Sequence, residues 1–272
     1  YNELFSLYPD DSAARHLPSN KSSYSRFVDA LTPLLGNADD YNYWSEYLQS
    51  NNQNLYETQS FSDQCIEALR TYPPEFIKTI KGTSISCRVT PNCLFIATLM
   101  DALCRTFGVE ECSLGITELL SGVTEEEEAI IGPRITTLPL FGKAIQQEST
   151  TDYIFSIHQR LLAHRSHAYA SIKDVVAGIG QKQFTYRSLF NTCYVYQNYP
   201  RDIQGSRSNS LKLIEEVDSS EPGSPILIVV EPSSSDLKLR VMSRDRQFDK
   251  SLVNLLLENW ESRIGISIIS KM

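Results

Sequence analysis

The spacing of apolar side chains predicts that helices and strands alternate along this chain. The clearest helix begins after Thr90, a residue type that caps helix N-termini well. Pro91 suits the first helical position, and Gly108 follows the last apolar residue, as is typical of a helix end. Apolar residues cover much of the circumference between Thr90 and Phe107, which predicts a helix buried between layers rather than one on the surface.

Shorter helices are predicted where apolar residues recur every three or four positions. These segments are Tyr24–Leu35, Tyr41–Leu48, Pro74–Ile80, Thr151–His164, Ser171–Ala177 and Asp249–Ile264. Asp39 or Asp40 can cap the second of them, because a carboxylate accepts the free backbone N–H groups of a first helical turn.

Strands are predicted where apolar residues alternate with polar ones or form short runs. These segments are Cys65–Tyr72, Cys112–Leu119, Ile130–Phe141, Leu189–Gln197, Leu211–Val217, Pro225–Glu231 and Asp236–Met242. Pro133 marks the third segment as an edge or bulged strand, because proline has no N–H to donate to a neighbouring strand. Interspersed strands and helices predict an α/β or α+β fold, in which helices cover a mixed β-sheet.

Acidic residues outnumber basic ones, and this excess makes some classes of binding partner unfavourable. The 272 residues include 33 Asp and Glu against 25 Lys and Arg, a net charge of −8. Nucleic acids and anionic membranes attract basic surfaces, and no apolar run reaches the roughly 18 residues that a membrane helix needs. We therefore expect no nucleic acid and no membrane as partners. The chain starts at Tyr1 without an initiator Met or a signal segment, which favours a piece of a longer protein.

Six cysteines bear on the cellular compartment: Cys65, Cys87, Cys93, Cys104, Cys112 and Cys193. They form no CxxC pair, and their proportion is far below that of a secreted disulfide scaffold. We expect free thiols and a cytoplasmic location.

Few residues suggest catalysis or metal binding. His164 and His167 lie three positions apart near a predicted helix end, close enough to share a metal ion, but no third ligand has a recognisable spacing. A general-base role is a second possibility, and polar histidines at a helix terminus are the favoured reading. Glu125–Glu128 predicts a solvated loop rather than an acidic site, because adjacent side chains point in different directions. The residues alone thus predict a cytoplasmic α/β domain with no metal site.

One segment adds a family resemblance. Residues 131–140, IGPRITTLPL, resemble the signature [IV]GxFxNTLPLR of the condensation domains of non-ribosomal peptide synthetases. Other motifs of that family have counterparts in the expected order, covering nearly the whole chain. They are SYSRF at 23–27, YWSEYL at 43–48, the helix at 90–108, HRSHAY at 164–169, LFNT at 189–192 and YVYQNYP at 194–200.

The resemblance implies a particular lobe of a two-lobed domain. Condensation domains consist of two lobes similar to chloramphenicol acetyltransferase, with the active site in a tunnel between them. The family's catalytic motif, HHxxxDG, belongs to the N-terminal lobe, and this sequence contains no such motif. The chain therefore resembles the C-terminal lobe, with the catalytic motif expected upstream of Tyr1. Residues 1–60 are then a linker and helices that join the missing lobe, and residues 61–272 the C-terminal lobe itself. A fragment and a naturally truncated domain both fit.

The matched motifs also indicate site residues and departures from the family. Thr136 stands where the family has Asn, Phe141 where it has Arg, and Val123 where it has the Arg of SGR. Substrate-tunnel candidates are Thr136, Thr137 and Asn198. We expect Thr136 to face the tunnel and Thr137 to face the lobe's own packing, since side chains alternate along a strand.

The surface that receives a carrier protein is a separate expectation. Candidates for carrier docking are the basic residues Arg160, Arg165 and Lys173. No metal ligand and no catalytic residue is assigned within the chain.

By resemblance, the whole domain joins a carrier-bound acyl or peptidyl thioester to an amine or hydroxyl. The lobe binds no cofactor of its own but faces the phosphopantetheine arm of carrier proteins. Its partners are the N-terminal lobe, carrier domains and neighbouring synthetase domains, and the chain alone is expected to be inactive. The alternatives are a catalytically silent condensation domain that holds carriers or modules, and a related acyltransferase that uses free coenzyme A thioesters.

Overall fold

A computed structural model describes residues 24–51, 61–123, 130, 132–145, 149–179, 189, 191–198, 224–233 and 235–269. The helices in these ranges are α1 (Tyr24–Leu31), α2 (Ala38–Ser50), α3 (Pro74–Cys87), α4 (Pro91–Phe107), α5 (Thr150–Ser166), α6 (Ile172–Ile179) and α7 (Lys250–Ile269), with a 3₁₀ turn at Thr32–Leu34. The strands are β1 (Phe61–Tyr72), β2 (Glu111–Leu119), β3 (Ile135–Lys143), β4 (Thr192–Tyr196), β5 (Ile226–Pro232) and β6 (Leu237–Asp245). The predicted strand Leu211–Val217 and the loop Glu125–Glu128 lie outside the described residues.

The strands of the described residues form one sheet in the order β1-β6-β5-β4-β2-β3. β4 runs parallel to both β2 and β5, and the other neighbouring pairs are antiparallel. The mixed sheet predicted from the sequence is thus confirmed. β3 lies at an edge, as Pro133 indicated, and its pairing with β2 begins only at Ile135, opposite Leu119.

Helix α4 is the centre of the main hydrophobic core. Of its 17 residues, 13 are buried, which confirms the prediction of a helix between layers. Its start is fixed as the sequence predicts, because the Thr90 hydroxyl accepts a hydrogen bond from the Cys93 backbone N–H at 3.2 Å. At its other end Gly108 has a φ of 67°, which glycine adopts without strain. Side chains of α3, α5 and α7 and one face of the sheet complete this core.

A second cluster packs near the β3 edge of the sheet. It brings Trp44 and Leu48 of α2 against Phe141 of β3 and Val175 of α6. Leu140, the neighbour of Phe141, belongs to the main core, and Leu138 belongs to the second cluster. The cluster therefore attaches the N-terminal helices to the sheet.

Polar groups also cover the free edge of β3. The Phe141 backbone N–H donates to the Tyr47 hydroxyl at 2.9 Å, and the Arg160 guanidinium donates to the Phe141 carbonyl at 2.6 Å. These bonds satisfy backbone groups that an edge strand would otherwise leave open for another chain.

The start of α2 differs from the prediction. Asn37, and not Asp39 or Asp40, is the N-cap, since its side-chain oxygen accepts from the Asp39 backbone N–H at 2.9 Å. Asp40 is instead buried and contacts His167. Helix α3 also runs further than the predicted Pro74–Ile80, to Cys87, because its later turns bury Thr83, Ser84 and Cys87.

The six cysteines are free thiols. Among the described residues, no helix combines the length and the apolar character that crossing a membrane requires.

Candidate functional site

A cavity of about 520 Å³ lies where the ends of β4 and β5 meet the start of α4. Because β4 and β5 are parallel neighbours, their carboxyl ends reach the same edge of the sheet, the usual position of ligand sites in such folds. We call this cavity the strand-end pocket. It is lined by Ile77, Ile80, Lys81, Thr90, Pro91, Asn92, Phe95, Tyr196, Asn198, Pro232, Ser233 and Leu237.

The inner wall of the strand-end pocket is apolar and held by the main core. Ile80, Phe95 and Leu237 are each at most 2% exposed. The Phe95 ring lies 6.3 Å from that of Tyr196 and 6.1 Å from that of Trp260, measured between ring centroids. Since these side chains are fixed by their neighbours, the pocket is formed before any ligand enters.

Polar groups at the mouth can recognise amides. The Tyr194 hydroxyl donates to Asn92 Oδ1 at 2.8 Å, and burial raises the pKa of Tyr194, which keeps this donor protonated. Asn92 is thereby oriented, and its NH₂ group stays available as a donor. Asn198 follows β4 and is exposed, with no hydrogen-bond partner for its side chain among the described residues. Both amides can pair with a ligand that carries peptide-like groups.

Asn198 is the tunnel candidate that the structure brings into the pocket. Thr136 and Thr137 are half-buried near the start of β3, opposite Glu118 and Thr117 of β2. Because β2 is parallel to β4 and antiparallel to β3, the start of β3 lies at the same sheet edge as Asn198. Two strand spacings separate β3 from β4, roughly 10 Å.

The two threonines point to opposite faces of the sheet, as alternation requires. By alternation Thr136 shares its face with Leu138 of the second cluster and Leu140 of the main core, and Thr137 shares its face with Phe141 of the second cluster. Both faces are packed further along the strand, so the orientation of Thr136 toward a tunnel stays a prediction.

The three carrier-docking candidates differ in whether their charged groups are already bound within the chain. Arg160 donates to the Phe141 carbonyl, and Arg165 donates to both carboxylate oxygens of Glu118, at 3.1 and 3.0 Å. Lys173 is exposed on α6 and makes no ion pair with the described residues. A role for any of them in carrier docking stays a prediction, and Lys173 has the most accessible charge.

His164 and His167 bind separate partners rather than a shared ion. The Tyr43 hydroxyl lies 2.7 Å from His164 Nδ1, and an Asp40 carboxylate oxygen lies 2.6 Å from His167 Nδ1. The Tyr43 and His167 rings stack with centroids 4.1 Å apart. This histidine cluster (Asp40, Tyr43, His164 and His167) joins α2 to the end of α5.

Burial determines the protonation state of His164. His164 is 1% exposed. Burial lowers its pKa to about 3, and the charges of Arg160 and His167 contribute in the same direction. A neutral imidazole closed to solvent cannot reach a substrate proton. In the part of the chain that the structure describes, no group of three His, Cys, Asp or Glu side chains could hold a metal ion.

Asn92 and Lys81 are pocket residues that the sequence did not single out. Each is ordinary within its own helix, and only the sheet order brings both beside Asn198. The sequence contained one local indication of the pocket, the helix start at Thr90-Pro91. Parallel strand ends and a helix N-terminus often enclose a ligand together.

A mixed sheet with helices packed on it is also the fold of solved condensation domains. The model of the condensation domain family matches residues 1–264, and the chain therefore belongs to that family.

Curated relatives agree with this membership. Chondramide synthase of Chondromyces crocatus is 26% identical over 161 residues, which are 58% of this chain and 4% of the relative. A linear gramicidin synthase of Brevibacillus parabrevis is 22% identical over 197 residues, which are 71% of this chain and 2% of the relative. The chain thus spans a small part of each of these synthetases.

Solved structures show the same fold at low identity. The first condensation domain of the calcium-dependent antibiotic synthetase, in complex with a substrate analogue, has a TM-score of 0.73 at 14% identity. That match covers 97% of this chain and 59% of the solved one. The epimerization domain from the third module of tyrocidine synthetase B also has a TM-score of 0.73, at 13% identity, with 98% and 65% covered. The chain therefore corresponds to about three fifths of a solved domain.

Proposed function

We propose that this chain is the C-terminal lobe of a non-ribosomal peptide synthetase condensation domain, and that the strand-end pocket holds part of a carrier-bound substrate. The observation that supports this most is the pocket itself. It joins an apolar wall to the amide groups of Asn92, whose oxygen accepts a hydrogen bond from Tyr194, and of Asn198, at the sheet edge where β3 also begins. Family membership supplies the reaction class.

The proposed reaction transfers an acyl group from sulfur to nitrogen. The nitrogen of a carrier-bound amine attacks the carbonyl carbon of a carrier-bound thioester. A C–N bond forms, the C–S bond breaks, and the pantetheine thiol of the donor leaves with the proton that the amine loses. With a hydroxyl nucleophile a C–O bond forms instead of the C–N bond, and the product is an ester.

The pocket contributes binding and orientation rather than proton transfer. A pantetheine arm carries two amides, and Asn92 and Asn198 offer donors and acceptors that match them. Each such bond contributes about 1 kcal/mol net. Holding the arm still near a second substrate makes the reaction effectively intramolecular, which is where much of the acceleration in such a tunnel originates.

The chain requires partners in this scheme. The N-terminal lobe supplies the HHxxxDG motif, carrier domains bring the phosphopantetheine arms, and neighbouring synthetase domains supply the next substrate. The lobe itself holds no cofactor, and the reaction takes place in the cytoplasm.

Turnover of carrier-bound substrates tests the proposal. We expect no product from the 272-residue chain alone and product from the chain combined with a lobe that carries HHxxxDG. In the combined protein, Asn198→Ala should lower turnover several-fold, whereas Asn254→Ala, on α7 and outside the pocket, should not. Product formed by the chain alone, or equal effects of the two variants, would contradict the assignment.

A pair of valine variants tests the β3 candidates in the same assay. Thr136→Val should weaken turnover while leaving the melting temperature nearly unchanged, and Thr137→Val should do neither. If the two variants change turnover and melting temperature alike, the assignment of Thr136 to the tunnel is wrong.

Phe141 favours a second candidate, a catalytically silent domain that holds carriers. Where the family has Arg, this chain has a buried aromatic side chain packed with Trp44. Carrier binding without turnover by the combined protein would support this alternative and overturn the catalytic one.

A further inference from the structure

We propose that the histidine cluster is a pH-sensitive attachment: protonation of His164 detaches α2 from the end of α5 while the main core stays folded. The inference is independent of the proposed function, because it concerns α2 and α5 and not the strand-end pocket. Three observations carry it: the position of α2 outside the main core, the contacts that hold it, and the surroundings of the His164 imidazole.

Helix α2 lies at the periphery of the fold. Its buried residues are Asp40, Trp44 and Leu48, three of 13, whereas α4 buries 13 of its 17 residues. Trp44 and Leu48 belong to the second cluster, which shares no residue with the main core. Segments that bury few apolar side chains open at a lower free energy than the core does. Detachment of α2 therefore does not require the sheet or α4 to unfold.

Polar contacts hold α2 to the end of α5. The Tyr43 hydroxyl lies 2.7 Å from His164 Nδ1, and Trp44 Nε1 donates to the His167 carbonyl at 2.8 Å. An Asp40 carboxylate oxygen lies 2.6 Å from His167 Nδ1. Each of these contacts ends on one of the two histidines, so a change of charge there acts directly on the attachment of α2.

The surroundings of His164 are unsuited to a charged imidazole. Its ring packs against the rings of Trp44 and Tyr47, with centroids 4.7 and 4.5 Å away. Its Nε2 has no hydrogen-bond partner among the described residues, and His164 is 1% exposed. A protonated imidazole donates from both nitrogens, and the Nε2–H would have neither an acceptor nor water. Protonation is therefore favoured in the detached state, where the ring is solvated.

The titratable groups that face His164 do not stabilise its charge. Burial lowers the pKa of His164 to about 3, and the charges of Arg160 and His167 on α5 contribute in the same direction. From α2, Tyr43 and Tyr47 face the ring as neutral phenols, since burial raises the pKa of both. None of these four groups is a carboxylate.

The carboxylates near the cluster have other partners. Asp40 contacts His167, and a protonated His167 attracts this carboxylate, which opposes detachment. On the sheet, Glu118 of β2 binds Arg165. Strand β3 and helix α6 contribute apolar side chains to the second cluster, on which α2 packs. His164 is therefore the group that drives detachment in acid, and the Asp40–His167 pair limits it.

Hydrogen exchange measured by mass spectrometry on the full 272-residue chain tests the proposal. Protection factors, corrected for the intrinsic effect of pH on exchange, are compared at pH 7 and pH 5 for peptides from α2 and from α4. A group that titrates near 6.5 when α2 is detached and near 3 when it is attached increases opening about 25-fold over this range.

We expect the protection of α2 to fall between pH 7 and pH 5 and to lie below that of α4 at both values. It should also be insensitive to low concentrations of urea, because urea promotes openings in proportion to the surface they expose.

Two histidine variants on α5 give the matched control. His164→Asn removes the titrating group, so its α2 protection should fall about 25-fold less than that of the wild type. His158→Asn, on the same helix but outside the histidine cluster, should keep the wild-type response. The difference between the wild type and His164→Asn isolates His164, because Asp40 and His167 are present in both proteins.

Several results would overturn the proposal. If α2 and α4 have equal protection and respond equally to urea, α2 opens only when the whole fold unfolds. Equal pH responses of the wild type and His164→Asn would exclude His164 as the driving group. Should His164→Asn fail to fold, the wild type decides. A fall that leaves α2 below α4 supports the detachment, and unchanged α2 protection between pH 7 and pH 5 contradicts it.

Discussion

His164 should make the folded chain lose stability as the pH falls. In the unfolded chain its imidazole titrates near 6.5, whereas burial lowers the folded pKa to about 3. Between these values the unfolded state binds a proton that the folded state excludes. The free energy of unfolding therefore decreases as the pH drops below 6.5, and the loss is complete near pH 3.

The magnitude follows from that proton linkage. From pH 7 to pH 5 the contribution of His164 to the free energy of unfolding falls by about 2 kcal/mol. His164→Asn removes the titrating group, while the asparagine side-chain oxygen can still accept a hydrogen bond from Tyr43. The variant should therefore lose about 2 kcal/mol less than the wild type over this pH range, whatever the other groups contribute to both proteins.

Urea unfolding followed by circular dichroism at pH 7 and pH 5 measures this difference. His158→Asn, on the same helix but outside the histidine cluster, reports how much an imidazole elsewhere on α5 contributes. If wild type and His164→Asn lose the same stability, the account of His164 is wrong. Should His164→Asn fail to fold, NMR titration of the wild-type His164 ring decides, since the account requires a neutral imidazole at pH 5.

Two further predictions concern the main core. Leu99→Asp should abolish cooperative unfolding, because an unpaired charge would replace a side chain with 0% exposure, whereas Ile85→Asp, at 76% exposure, should melt nearly as the wild type does. Asp101→Ala should lower the free energy of unfolding by about 3–5 kcal/mol, measured by urea unfolding, since buried Asp101 pairs with both Arg105 and Arg263. A loss below about 1 kcal/mol would show that the two arginines find other partners.

Local signals in the sequence were sufficient for α4. Thr90, Pro91 and Gly108 fix its two ends through contacts within a few residues, and its apolar circumference indicates burial directly. The edge position of β3 could be predicted for a similar reason, because a proline restricts pairing wherever the strand lies in a sheet.

Contacts between distant residues could not be predicted in this way. The histidine cluster pairs side chains 121 and 127 positions apart, so neither Tyr43 nor Asp40 signals its partner. The choice of Asp39 or Asp40 as an N-cap was wrong for the same reason, since Asp40 is drawn into contact with His167. The family resemblance supplied Asn198, whereas Lys81 and Asn92 needed the sheet order.

Photo-crosslinking tests most directly whether the strand-end pocket holds the substrate arm. A pantetheine thioester with a diazirine on its acyl chain is irradiated with the full 272-residue chain, and labelled peptides are identified by mass spectrometry. If the arm occupies the strand-end pocket, residues 77–95 and 196–198 should be labelled, and excess unlabelled pantetheine thioester should suppress that labelling. Suppressible labelling confined to other segments, or none at all, would contradict it.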